Sequence, residues 1–127
     1  MPVGLAATTL ANRWLDILRG VAFTAPVGTF IKLHVGDPGA AGATNPSAVV
    51  TRQAATFSAA AGGAIALSNT PSFAMTATET ISHISIWDAA TVGTFLWSAA
   101  LTTPRSVVNT DTLNFNAVGL SLAAVAS

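Results

Sequence analysis

Two histidines are the side chains best suited to chemistry in this sequence, and each is followed closely by an aspartate: His34 by Asp37, His83 by Asp88. Such pairs suggest an imidazole acting as base or ligand with a carboxylate to orient it, if their strands are neighbours. A metal site ordinarily takes three or four well-placed ligands. The set here stops at two His and two Asp, and no Cys exists to extend it. No GxSxG elbow presents a nucleophilic serine. Acid–base work on a substrate wants two carboxylates in different environments. The five acidic residues are scattered, and the lone glutamate, Glu79, opens an apolar run as a solvated strand-end charge. Gly36, Gly39 and Gly42 form G-x-x-G-x-x-G, followed by Ala43-Thr44-Asn45-Pro46-Ser47. A phosphate cradle needs a Lys-Ser/Thr and a helix start after its glycines, and neither follows. These residues predict no catalysis, no cofactor and no metal.

The elements that must position these residues are mostly strands. Thr29, Ile31, Leu33 and Val35 alternate with Phe30, Lys32 and His34, a period of two that turns an aliphatic face inward and leaves His34 on a strand face. Asp37-Pro38-Gly39 stops that strand. Ala48 to Phe57 predicts a second strand, with Val50 and Arg52 on one face. Gly62-Gly63 turns the chain before Ala64 to Leu67, and Ser68-Asn69 turns it again before Pro71 to Met75. Glu79 to Trp87 is the clearest strand, and Thr94 to Ser98 returns beside it as a hairpin. Trp87 and Trp97 flank that loop and are expected to face each other. Val107-Val108, Leu113 to Phe115 and Val118 to Val125 complete the set.

One helix precedes the strands. Leu10, Trp14, Ile17, Leu18 and Val21 fall at helical spacing, with Asn12, Arg13, Asp16 and Arg19 opposite, which predicts a helix over 6–19 capped by Gly20. The expected fold is mainly β: an antiparallel sandwich or small barrel of about seven or eight strands with one N-terminal α-helix. It forms a single domain over residues 1–127, with the β part from 28 onward.

Composition narrows the functions. Of the 127 residues only 8% are charged, and the formal net charge is zero, against about 25% charged in ordinary soluble domains. Five basic residues spread along the chain do not make a nucleic-acid surface. No apolar run approaches the roughly 20 residues of a membrane span, and no signal peptide is evident. A chain this poor in charge is weakly protected against association, so much of its surface is expected to be covered by other subunits. The candidate interaction surface is the loop, Asp37, Pro38, Gly39, Thr44, Asn45 and Pro46, with Trp14 and Arg13 of the helix.

Four stretches in order carry a family likeness: ANRWLDILRG, FIKLHVGDPGAAGATNP, HISIWDAATVGTFLWSAALTTPRSV and NTDTLNFNAVGLSLA. A strand with Leu-His and Asp-Pro-Gly, then His-x-x-x-x-Asp-Ala-x-x-x-Gly and a Leu-Thr strand, resembles small tailed-bacteriophage virion proteins, tail-fibre-like or head-decoration-like. The likeness implies a virion component with no cofactor and no catalytic residue. Where it implies a glycine before Asp111, this chain has Thr110. A head decoration or cement protein, a homo-oligomer lying on major capsid subunits, is the first expectation. A tail or tail-fibre-like component contacting tail subunits or host surface is the second. A small hydrolase or carbohydrate-binding β domain using His34, His83 and the aspartates is a distant third.

Overall fold

The computed structural model describes residues 3–122. Its eight strands are β1 (Phe30–His34), β2 (Gln53–Ala54), β3 (Ala64–Ala66), β4 (Ser72–Ala74), β5 (Glu79–Trp87), β6 (Phe95–Val107), β7 (Thr112–Asn114) and β8 (Gly119–Ser121). Four of them form an antiparallel sheet in the order β2-β1-β5-β6, while β3 pairs with β8 and β4 with β7. The fold is mainly β and antiparallel as expected, and its sheets do not close into a barrel.

The central sheet explains the core. Ile31 stands opposite Ile86 and Leu33 opposite Ile84, so alternation puts all four on one face. They are buried there in one cluster with Leu10, Phe73, Met75, Ile81, Trp97 and Phe115. Burying each such side chain contributes about 1.5–3 kcal/mol. Phe73 of β4 meets Phe115 edge-on, with centroids 5.8 Å apart, a preferred aromatic geometry. Ile65, Leu113 and Leu120 of the small ribbons pack against the same cluster.

The strand pattern departs from expectation at five places. The return expected over Thr94 to Ser98 and the separate strand expected at Val107-Val108 are one continuous strand, β6. Val35 lies beyond β1 and is exposed, not inward. Of the expected 48–57 strand only Gln53–Ala54 forms a strand, with Phe57 in an isolated bridge to Leu67. The N–H of Ala48 donates to the Glu79 carboxylate and that of Val49 to Ser47 Oγ, so side chains take the donors a ladder would need. Trp87 and Trp97 do not face each other. The β5–β6 register shifts between Ile86 and Trp87, pairing Ile86 with Trp97 and Trp87 with Phe95, which puts the two indoles on opposite faces. The C-terminal run predicted over Val118 to Val125 is a strand only at Gly119–Ser121, and its end lies outside the described residues.

β6 also carries extra chain. The partner of Ile81 is Arg105 and that of His83 is Ala100, so Leu101 to Pro104 bulge out opposite Ser82. A bulge tolerates the proline that a regular ladder would exclude. Residues 4–6 line the other end of β6, with Ala6 N–H to Leu96 O at 2.8 Å and Ser98 N–H to Gly4 O at 2.9 Å.

The helical segment spans 7–19, close to the predicted 6–19, in three short pieces: a π-turn Ala7–Ala11, an α-helix Asn12–Asp16 and a 3-10 turn Ile17–Arg19. Its N-cap is Ala6, which offers no side-chain acceptor. Gly20 ends it in the left-handed region, φ 86°, the conformation glycine adopts freely. Arg19 pairs with Asp16 at 2.8 Å in water, where such pairs contribute little. The expected apolar face is only half used. Leu10 is buried and Trp14 half-buried against the core, whereas Ile17, Leu18 and Val21 project into solvent.

Candidate interaction surface

The loop after β1 is built on its own hydrogen bonds. The Asp37 carboxylate accepts the Gly39 N–H at 2.8 Å, Thr44 N–H reaches Pro38 O at 2.9 Å, and Gly42 N–H reaches Gly39 O at 3.1 Å. Asn45 Nδ2 donates to Asp37 O at 3.1 Å, tying one end of the loop to the other. Pro38 is fully buried, so it anchors the loop from below and contributes nothing to its outer face, contrary to expectation. Gly42 lies flat on β6. A Cβ there would meet the Phe95 ring at 2.5 Å, and its φ is 71°, so two independent constraints require glycine. The loop's small residues therefore serve close packing within the chain. Thr44, Asn45 and Pro46 face solvent, and Asp37 and Gly39 are partly covered.

His34 holds this loop to the sheet. It stands on a strand face as expected, and it is fully buried there on the polar side of the sheet. A carbonyl only accepts, so the contact of Nδ1 with Thr44 O at 2.8 Å makes Nδ1 the protonated nitrogen. Nε2 then accepts from the Ser85 hydroxyl at 2.7 Å, and Ser85 Oγ accepts from the Trp87 indole N–H at 2.8 Å. Every polar atom in this line is satisfied by a neutral imidazole. Burial lowers the His34 pKa from 6.5, the Lys32 charge adds to that, and the Thr44 carbonyl partly opposes it.

The His/Asp site that neighbouring strands could have formed is not assembled. His34 and His83 do stand directly opposite each other in the β1–β5 register. Asp88 lies past Trp87, at the far end of that pair, where it accepts the Thr94 N–H at 2.6 Å. Among the described residues no group of three His, Asp or Glu is placed to hold a metal. Glu79 is not a free strand-end charge. Its carboxylate accepts from the buried Ser47 hydroxyl and the Ala48 N–H, fixing the exit of the loop.

The polar face carries a second clamp that the sequence did not announce. Arg52 lies over the Trp87 ring, 4.2 Å from its centroid, and its guanidinium donates to Ala89 O at 2.8 Å and Val92 O at 2.7 Å. It holds the hairpin turn, with Val92 at φ 56° and 85% exposed at the tip. Gly39, Ala40 and Ala41 wall one side of a groove of about 790 Å³, with residues 3–9 and Trp87 on the others. Among the described residues no ionisable side chain lines it.

Arg13 and Trp14 do not line the groove beside the loop. Arg13 stacks on Phe23, 4.8 Å from the centroid, and lines a separate cleft with Val27 and Asp88. The helix end beyond them is apolar and exposed, with Leu15 at 64% and Leu18 at 85%. The signal was in NRWLDILRG: Leu15 falls outside the inward stripe, so apolar residues point in more than one direction.

No helix among the described residues is long and apolar enough to cross a membrane. No curated protein matches the sequence. The family model described as "Podophage GP4 fiber I protein gp80" matches residues 5–123. That span takes in the helical segment, the loop and every strand, and on it the chain belongs to the podophage GP4 fiber I protein gp80 family, a group of phage fibre-like structural proteins.

Proposed function

We propose that this protein is a tail or tail-fibre component of a bacteriophage particle, acting as a single domain that binds other virion subunits, including copies of itself. The family match over 5–123 carries this reading. Low charge and an Ala/Thr-rich surface suit any repeatedly packed virion subunit, so they do not choose between head and tail. The family description favours the fibre over the head decoration expected first. The protein works by buried contact area, not catalysis. Its outer loop face (Thr44, Asn45 and Pro46, flanked by Asp37 and Gly39) and the helix residues Arg13 and Trp14 are the proposed contact points. It is assembled in the host cytoplasm and stays on the particle.

Copy number on purified virions tests this, by quantitative mass spectrometry with labelled antibody to locate the chain. A tail component is expected at about six to a few dozen copies and a decoration protein at hundreds, from the symmetry of each structure. Tail labelling at low copy number is the expected result. Hundreds of copies with head labelling would overturn it.

A further inference from the structure

Eleven large apolar side chains are exposed among the described residues. Six are scattered singly, which is normal for a protein surface. The other five belong to one short stretch: Leu15 (64%), Ile17 (50%), Leu18 (85%), Val21 (41%) and Val27 (96%). The helix end is thus apolar beyond the side that Leu10 and Trp14 turn to the core. The apolar stripe of an amphipathic helix is the part that its surroundings bury, and this chain covers only the Leu10 and Trp14 portion of it.

We propose that a second copy of this chain covers the helix end, so that Leu15, Ile17, Leu18 and Val21 form a self-association surface. Two properties favour a copy over a foreign partner. The first is area. The four side chains offer on the order of 400 Å², within the range of the largest patch a monomer shows. Matched with the same patch on a copy, about 800 Å² is buried, the size of a weak, reversible contact that a repeating assembly multiplies. The second is charge. Asp16 and Arg19 neutralise each other within the chain, Arg13 lies on its own Phe23 ring, and the chain's net charge is zero. Like therefore meets like without a single-sign field to repel it. This surface gives a location to the self-contact in the function proposed above, and it does not depend on where in the virion the protein sits.

Sedimentation of the full chain over a wide concentration range is the test. Wild type associates. Leu18→Asp raises the dissociation constant at least tenfold while leaving the circular dichroism and unfolding midpoint of the isolated chain unchanged, because Leu18 is 85% exposed. Val50→Asp, at an aliphatic 66% exposed elsewhere, leaves association intact. The chain has no cysteine, so Leu18→Cys supplies a unique thiol, and a short bis-maleimide joins copies through it far faster than through Val50→Cys. A wild type that stays monomeric at every concentration, association untouched by Leu18→Asp, or equal cross-linking at both positions would overturn the proposal. Head labelling of virions would remove the tail assignment and leave this surface standing.

Discussion

A neutral imidazole held between a carbonyl and a hydroxyl, as His34 is between Thr44 and Ser85, has only one workable arrangement of protons. Protonated His34 would turn Nε2 into a donor toward Ser85 Oγ, which already accepts from Trp87. The serine proton would then need a new acceptor on a buried face. The folded protein takes up this proton at lower pH than the unfolded chain, whose His34 titrates near 6.5. The unfolded state therefore binds more protons as pH falls below about 6.5. The His34 contribution is complete above that value and is lost on acidification toward the lowered folded pKa. Lys32 and His83 on the same face push in the same direction, and the Thr44 and Asn45 backbone bonds oppose it. Denaturant midpoints at pH 7.5 and pH 5 should fall more in wild type than in His34→Gln. The variant itself is less stable at pH 7.5 by about 2–3 kcal/mol, having lost buried packing and bonds. Equal pH slopes in the two proteins would show that His34 does not titrate against folding.

The turn between β6 and β7 is an element whose strain is visible in its residues. Thr110 sits at φ 77°, a conformation that costs a β-branched residue about 1 kcal/mol or more. It is the position where the family likeness implies a glycine. Asp111 nonetheless closes the turn, with its carboxylate accepting the Val108 N–H at 2.9 Å, and Thr110 N–H bonds Met75 O at 3.0 Å. Thr110→Gly keeps both bonds and removes the clash, less the entropy glycine adds to the unfolded chain. The expected gain is about 0.5 kcal/mol, a rise of about 2 °C in the unfolding midpoint by calorimetry; a fall would mean that the threonine side chain makes a contact of its own. Elements of this kind mark the limit of what was legible beforehand. The alternation through Ile31, Leu33, Ile84 and Ile86 gave the central sheet, and Gly20 gave the helix end. The burial of His34 was not legible, because the lid over it is the Thr44 carbonyl of a loop whose backbone path no side-chain pattern encodes. Nor was the fate of Ala48 to Arg52, since Glu79 and Ser47 compete for donors that propensity assigns to a ladder. The Trp87–Trp97 error came from one register shift, which alternation counts cannot see.

At the scale of the whole molecule, the low charge and the uncovered helix end make a joint prediction about how copies associate. An interface held by charge pairs weakens as salt screens it. One formed by Leu15, Ile17, Leu18 and Val21 has little to screen, and sulfate, being excluded from apolar surface, strengthens it. Burying that surface also lowers the heat capacity of the associated state. Dilution calorimetry of the full chain at several temperatures is therefore expected to give a negative heat-capacity change of association, with the dissociation constant nearly unchanged between 0.05 and 0.5 M sodium chloride (about a tenfold span of ionic strength) and smaller in sodium sulfate. Arg13→Ala should leave this behaviour intact, because Arg13 is occupied by the Phe23 ring of its own chain, whereas Leu18→Asp should abolish both the heat-capacity signal and the sulfate response. Association that weakens steadily with sodium chloride would place the contact on the few charged groups instead, and would point back to the loop side of the molecule, where Arg52 lies within electrostatic reach of Lys32 and of Asp88.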